Sequence, residues 1–264
     1  MNTPPPDEPY VRRTDLDGMA TLTLNRAQQF NALSQAMIGA LQEQLDAIAT
    51  DPAVRVVVIA GAGRAFCAGH DLKEMRANHH KAFMQDLFRR CGKLMMTLTQ
   101  MPQPVIARVH GIATAAGCQL VSMCDLAVAA DSARFATSGI NVGLFCATPG
   151  VGLSRNLGRK QALEMLLTGD FIDAQTALQQ GLVNRVVAGE ALDAEVDRLA
   201  RSIIGKSAVA IGMGKQMFYR QLEMGLEAAY QYAAEVMACN MMTEDAGEGI
   251  DAFIGKRPAE WKGR

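Results

Sequence analysis

After a Pro-rich start, the chain has two segments whose apolar spacing predicts different elements. Residues 21–24 alternate polar and apolar side chains, which predicts a strand. From Leu33 to Leu45 a leucine or methionine recurs at every fourth position, and this spacing gives a helix one apolar stripe. Asn31 and Ser34 both lie near the start of the stripe, and both are residue types that cap helices. The sequence therefore leaves the first residue of this helix open between them.

Three apolar runs further along predict strands that are buried on both faces. They cover residues 54–60, 105–109 and 126–130. Helical spacing predicts helices over 81–101 and 115–123, and a last strand is predicted over 182–187. Strands that alternate with helices indicate a mostly parallel sheet covered by helices. The fold class is therefore predicted to be α/β.

From Leu192 onward the pattern predicts only helices, with more apolar residues than a short helical tail could bury on itself. We expect these helices to pack on the main domain and on a partner subunit; the alternative is that they only cap their own core. The predicted organisation is a disordered lead-in over 1–9, a core domain over 10–190 and a helical oligomerisation region over 191–264.

Charge and composition restrict the function. The formal net charge is -1 and 49% of the residues are apolar, so neither nucleic acid nor an anionic membrane is a predicted partner. No apolar run is long enough to span a bilayer. Six cysteines without a C-x-x-C pair predict reduced, buried thiols and no metal site. The acidic N-terminus has neither the apolar nor the Arg-rich character of a targeting segment, which predicts a cytoplasmic location.

Three glycine-bearing segments are candidates for a binding site. Residues 61–73 begin like a phosphate loop, but Phe66 and Lys73 are misplaced for one. Residues 110–119 carry small side chains into a helix start, where free backbone N–H groups can receive negative charge. Together these two segments could offer one N–H each to the same oxygen. Residues 141–150 contain no acid or base and are predicted to form an apolar pocket wall that ends in a turn.

Five motifs in register resemble the crotonase (enoyl-CoA hydratase/isomerase) superfamily. They are F-C-A-G-H-D-L-K, V-I-A-x-V-H-G, A-A-G-C-x-L, C-D-L-A-V-A and L-T-G-x-x-I-x-A-x-x-A-L-x-x-G-L-V. The resemblance runs from about Tyr10 to the C-terminus. Within the superfamily, G-H-D-L-K, A-A-G-C-Q-L and N-V-G-L-F-C-x-T-P-G-V resemble the branch of enoyl-CoA hydratase domain-containing protein 3.

This resemblance implies a β-β-α spiral with a C-terminal helical trimerisation region, as a homotrimer or a dimer of trimers. It implies that the ligand is an acyl-CoA thioester, so coenzyme A enters as part of the substrate and no separate cofactor is predicted. The backbone N–H groups of His70 and Ala116 would form an oxyanion hole. The implied CoA-binding residues are Asn25, Arg26, Ala32, Ala68, His70, Asp71, Leu72 and Lys73, with Phe253 and Lys256 of a neighbouring subunit.

Two positions depart from the pattern of the hydratases in this superfamily. Gln119 and Gly139 stand where those enzymes carry the two catalytic glutamates. An amide has no useful pKa and glycine has no side chain, so little hydration by the usual route is expected. Three functions stay open: an enzyme of the enoyl-CoA hydratase/isomerase type, an acyl-CoA-binding protein with vestigial or non-hydratase activity, or a structural partner in a larger fatty-acid complex. The His70 ring is either a replacement base, or a packed or solvent-facing side chain whose backbone alone matters.

Overall fold

The computed structural model describes residues 8–264. Ten strands are β1 (Val11–Leu16), β2 (Met19–Leu24), β3 (Val56–Gly61), β4 (Ala65–Cys67), β5 (Val105–Val109), β6 (Ile112–Thr114), β7 (Leu126–Ala130), β8 (Arg134–Ala136), β9 (Ile172–Asp173) and β10 (Arg185–Val187). The helices are α1 (Gln35–Ala49), α2 (Leu72–Ala77), α3 (Lys81–Gln100), α4 (Ala116–Met123), α5 (Ala147–Asn156), α6 (Arg159–Thr168), α7 (Ala174–Gln180), α8 (Leu192–Ile204), α9 (Ala208–Gln221), α10 (Leu226–Met241) and α11 (Glu244–Ile254).

A six-stranded sheet in the order β1-β2-β3-β5-β7-β10 forms the centre of the fold. All its pairs are parallel except β1 with β2, which form a hairpin. Asp17 and Gly18 close the hairpin with φ angles of 48° and 82°, as a two-residue turn of the left-handed type requires. The sequence analysis missed β1, because most of its side chains are polar and most are exposed at the sheet edge.

A second sheet of four short strands, in the order β4-β6-β8-β9, positions the candidate site. Strands β4, β6 and β8 run parallel. Their carboxyl ends therefore meet at one edge of the sheet, and the three segments that follow Cys67, Thr114 and Ala136 leave from the same place. These are the segments that contain His70, Ala116 and Gly139.

The predicted strands and helices of the core are confirmed, with small changes at their ends. The predicted late strand is only three residues long, since residues 182–184 precede β10. The first helix is capped by Ser34, whose Oγ accepts a hydrogen bond from the N–H of Met37. Asn31 is fully buried instead, and its Nδ2 donates to the carbonyl oxygens of Ala62 and Ala65. It therefore ties the start of α1 to the loop after β3.

The C-terminal region is helical as predicted from Leu192, but residues 255–264 are not. This tail is held by backbone contacts instead, because the buried Asp245 carboxylate accepts from the N–H groups of Lys262 and Gly263. Helix α8 packs on the central sheet through Leu192 and Val196.

Helices α9 to α11 bury much less of their apolar surface than α8 does. Many of their side chains are exposed in the single chain: Phe218, Leu226, Tyr230, Met237, Met241, Ile250, Phe253 and Ile254. The oligomerisation predicted for this region therefore stays a prediction. Of the predicted lead-in over 1–9, residues 1–7 lie outside the described residues.

Within residues 8–264, no helix is long and apolar enough to cross a membrane. Five of the six cysteines are buried free thiols, as predicted; Cys239 is exposed. No cluster of three or more metal-ligating side chains occurs in that part of the chain.

Candidate functional site

A cavity of about 370 Å³ opens where the three parallel strands of the small sheet end. One side is formed by residues 68–70 and 115–116, which we call the donor wall. The other side is formed by residues 138–149, which we call the apolar wall. Leu72 and Met75 from α2 and Phe88 from α3 complete the lining.

The donor wall depends on a very close approach between its two segments. Gly69 has a φ of +88°, and a Cβ built there would lie 2.8 Å from Cβ of Ala115 and 3.0 Å from N of Ala116. A Cβ on Gly117 would lie 2.1 Å from the carbonyl oxygen of Cys67. Only glycine fits at either position, and the two glycines bring the loop after β4 against the start of α4.

The two backbone N–H groups of the donor wall have no protein partner. Ala116 is the first residue of α4, so its N–H has no acceptor within the helix. Across residues 8–264, neither this N–H nor that of His70 donates to another backbone atom. Ala115, just before, has a φ of 50° and a ψ of −121°, a conformation that side chains rarely adopt. Such strain concentrates at functional sites.

The His70 ring is packed rather than exposed to solvent. Its Nδ1 lies 3.2 Å from the carbonyl oxygen of Leu33, and its ring centroid lies 5.4 Å from that of Phe88 in an edge-on arrangement. Burial lowers the pKa of His70, and the contact with Leu33 opposes this only in part. The ring is therefore neutral near pH 7.

Gln119 lies outside the cavity lining, whereas Gly139 is part of it. Gln119 is 4% exposed within α4, does not line the cavity, and its buried Oε1 has no hydrogen-bond partner in the described chain. Gly139 does line the cavity, but a Cβ there would lie 2.6 Å from the carbonyl oxygen of Leu144 and 2.7 Å from Sγ of Cys146. The apolar wall thus fills the space that a side chain at 139 would need.

The apolar wall lines the cavity as predicted, but it does not end in a turn. Residues 147–150 form the first turn of α5. Val142, Leu144 and Phe145 remain substantially exposed. No aspartate or glutamate occurs among the described residues that line the cavity; its titratable side chains are His70 and Cys146. Burial raises the pKa of the Cys146 thiol, so this group is protonated near pH 7.

The residues implied for CoA binding fall into separate groups. Ala68, His70 and Leu72 line the cavity. Asp71 caps α2 by accepting from the N–H groups of Lys73 and Glu74, and Lys73 is exposed on that helix.

Asn25, Arg26 and Ala32 lie outside the cavity lining. Nδ2 of Asn25 and the Arg26 guanidinium donate to the carbonyl oxygen of Pro9, and the guanidinium stacks on Tyr10 at 3.7 Å. This arginine is therefore already engaged with the start of the described chain.

Phe253 lies in the last turn of α11 and Lys256 lies just beyond that helix; neither lines the cavity of its own chain. Phe253 is 86% exposed. Sequence reasoning missed Phe88, because a helical apolar stripe does not tell which of its residues reaches a site. It also missed that the Leu33 carbonyl would orient His70, since only the fold brings these two segments together.

The chain matches the profile of the family described as "Enoyl-CoA hydratase/isomerase" over residues 15–264. It is 48% identical over 244 residues to "Enoyl-CoA hydratase domain-containing protein 3, mitochondrial" of Xenopus laevis, covering 92% of this chain and 83% of the relative.

Two solved structures are similar over nearly the whole chain. An enoyl-CoA hydratase of Mycobacterium smegmatis has a TM-score of 0.95 and 58% identity, covering 96% of this chain and 99% of the other. Human enoyl coenzyme A hydratase domain-containing protein 3 has a TM-score of 0.93 and 44% identity, covering 96% and 100%. The crotonase fold that the motifs implied is confirmed.

The predicted cytoplasmic location is wrong by the same comparison. The relatives from Xenopus laevis, Rattus norvegicus, Mus musculus and Homo sapiens are all named mitochondrial. The prediction rested on the absence of a recognisable targeting segment, and an absence of that kind does not decide a compartment.

Proposed function

We propose, on the premise that this chain belongs to the enoyl-CoA hydratase/isomerase family, that it binds an acyl- or enoyl-CoA thioester and polarises its carbonyl. The thioester oxygen would accept from the N–H groups of His70 and Ala116. The observation that carries this proposal is the donor wall, where Gly69 brings two backbone N–H groups without protein partners to one cavity. The acyl chain would lie against the apolar wall.

Two fixed N–H donors favour the form of the thioester that carries more charge on its oxygen. That form is the enolate produced when a bond at Cα breaks or forms. Donors that are already in place bind it more strongly than the neutral carbonyl, and loss of one such donor costs about 3 kcal/mol of transition-state stabilisation. The proposed chemistry is therefore enolate formation at the carbon next to the thioester.

Hydration through two carboxylates is not part of this proposal. The Gln119 amide cannot take a proton from water near pH 7, and position 139 has no room for a side chain. Gln119 and Gly139 also favour a second candidate function, that of an acyl-CoA-binding protein with vestigial turnover.

The test compares butyryl-CoA with its thioether analogue S-butyl-CoA, which has no carbonyl. Calorimetry gives both affinities, and isotope-edited infrared spectroscopy of [1-13C]butyryl-CoA reports the carbonyl stretch. We expect tighter binding of the thioester and a shift of its carbonyl stretch to lower wavenumber. Equal affinities without a shift would count against the oxyanion hole.

Crotonyl-CoA hydration, followed as loss of enoyl absorbance, separates the two candidates. Rapid turnover would show that another group replaces the glutamates. Tight binding with a shifted carbonyl stretch but no turnover of any thioester would favour the binding protein.

For the assembly, we propose a homotrimer or a dimer of trimers in which a second copy covers helices α10 and α11. The support is the exposed apolar surface of these helices, with Phe253 at 86% and Leu226 at 76% exposure. In that assembly Phe253 and Lys256 would reach the CoA of a neighbouring subunit. Light scattering after size exclusion measures the mass, and Phe253→Asp is expected to weaken CoA binding while butyryl-chain selectivity persists.

A further inference from the structure

His70 and His110 are buried in similar ways but lie in different places. Each ring has one nitrogen against a backbone carbonyl: Nδ1 of His70 with Leu33 at 3.2 Å, and Nε2 of His110 with Gly63 at 2.8 Å. In each ring the other nitrogen is buried and has no hydrogen-bond partner in residues 8–264. Of the two, His70 lines the cavity and His110 does not.

The contact with Leu33 determines which nitrogen of His70 carries the proton. A carbonyl oxygen only accepts hydrogen bonds, so Nδ1 must be the donor in the neutral ring. Nε2 then carries the lone pair. Phe88 packs edge-on against the ring and limits its rotation. The donor wall therefore holds an oriented nitrogen base on the same residue whose N–H faces the proposed oxyanion.

We propose that Nε2 of His70 is the proton acceptor of this site and removes a proton from Cα of the bound acyl-CoA thioester. This inference rests on the proposed function. In the step, the Nε2 lone pair takes the proton and the Cα–H electron pair forms a double bond to the carbonyl carbon. The carbonyl π pair moves onto oxygen, where the two N–H groups stabilise it. Reversal returns a proton from the imidazolium to Cα.

The remaining lining residues leave His70 as the candidate base. No carboxylate lines the cavity among the described residues, and the Cys146 thiol is protonated near pH 7. Gln119 lies outside the lining. Because Nε2 has almost no accessible surface, the substrate must displace part of the packing around Phe88 to reach it.

Burial lowers the pKa of His70 and so keeps the ring unprotonated, as a proton acceptor must be. None of the charged side chains on α2 and α3 is among the causes of this shift; they are Lys73, Glu74, Arg76, Lys81, Asp86, Arg89, Arg90 and Lys93. The rate of a step that needs neutral His70 should therefore rise with pH, with an apparent pKa below about 6.5, and then stay constant.

The experiment measures deuterium incorporation at Cα of butyryl-CoA in D2O by mass spectrometry. The variants are His70→Asn, whose amide nitrogen can still donate to Leu33, and His110→Gln as the control for loss of a buried histidine. We expect His70→Asn to lower the exchange rate by about 10²-fold or more and to abolish the pH dependence. His110→Gln should exchange at the wild-type rate.

A purely structural role for His70 gives different results. In His70→Ala, added imidazole should restore part of the exchange rate if Nε2 is the base, and should do nothing if the ring only packs. Exchange at the wild-type rate in His70→Asn, with butyryl-CoA still bound, would overturn the proposal.

Binding and the infrared carbonyl shift separate this inference from the proposed function. If the wild-type protein binds butyryl-CoA with a shifted carbonyl stretch but shows no exchange, the role of His70 fails and the oxyanion hole stands. If it shows neither binding nor a shift, the proposed function itself fails.

Discussion

The two walls of the cavity are built in opposite ways. The donor wall is held by backbone contacts so close that Gly69 and Gly117 admit no side chain, and it keeps two N–H groups without protein partners. The apolar wall presents exposed Val142, Leu144 and Phe145 and, at Gly139, folds its own backbone into the space of a side chain. The cavity therefore joins a wall that offers two free N–H donors to a wall that closes over position 139.

The largest expected effect comes from separating the two segments of the donor wall. Gly69→Ala would push against Ala115 and the backbone nitrogen of Ala116, displacing one donor. We expect the rate of Cα exchange to fall by about 10²–10³-fold, the loss typical of one oxyanion donor.

Gly181→Ala is the matched control for that variant. Gly181 has the same φ of +88°, but a Cβ there would lie 3.4 Å from its nearest neighbour, the carbonyl oxygen of Asn156. Both variants lose stability because alanine is strained at this φ. If they reduced exchange equally, strain alone would explain the loss and the close approach at Gly69 would have no special role.

The second-largest expected effect is a loss of stability when a side chain is added to the apolar wall at Gly139. Gly139→Ala places a Cβ 2.6 Å from a backbone oxygen, so the segment must move. We expect the free energy of unfolding in urea to fall by about 1–3 kcal/mol, as for other overpacked sites.

Gly39→Ala in α1 is the control for that measurement. Nothing lies within 4 Å of a Cβ at this position. Alanine is the better helix former, so a gain of about 0.5–1 kcal/mol is expected there. A Gly139→Ala protein as stable as the wild type would mean that the apolar wall can open, and that a carboxylate could be accommodated at 139 after all.

The smallest effect is a pH dependence of stability. The pKa of His70 is lower in the folded state, so the unfolded state binds more protons below about pH 6.5. Stability is therefore complete above that pH and falls as the pH decreases, by at most about 1.4 kcal/mol per pH unit for one proton.

Urea unfolding between pH 5 and 8 tests this for the wild type and His70→Asn. The pKa of His110 is lowered in the same direction and stays in both proteins, so the difference between the two curves isolates His70. If the free energy of unfolding depended on pH in the same way in His70→Asn and the wild type, His70 would not be the neutral, buried ring described above.

Much of the fold could be predicted from the sequence because its signals are local. The apolar runs gave β3, β5 and β7 within a few residues, and the stripe from Leu33 gave α1. The edge strand β1 and the short strands of the small sheet were missed, because charged or three-residue strands carry no apolar pattern.

The site was predictable only where it depends on motifs. His70 and Ala116 could be named from their motifs, and the structure brings them to one cavity. The lack of space for a side chain at Gly139 could not be predicted, because it depends on where the fold places the Leu144 carbonyl and the Cys146 thiol. The contacts of the Arg26 guanidinium with the Pro9 carbonyl and the Tyr10 ring could not be predicted either, because only the fold brings these residues together.

The closure at Gly139 also bears on how this lineage can change. A glutamate at Gln119 is one nucleotide substitution away, so a first carboxylate is easily gained by mutation. The second is not, because any side chain at 139 meets the carbonyl of Leu144 before the surrounding segment has moved. Selection acting one mutation at a time would therefore pass through a less stable protein, and the folded-over segment makes a carboxylate at 139 difficult to acquire in evolution.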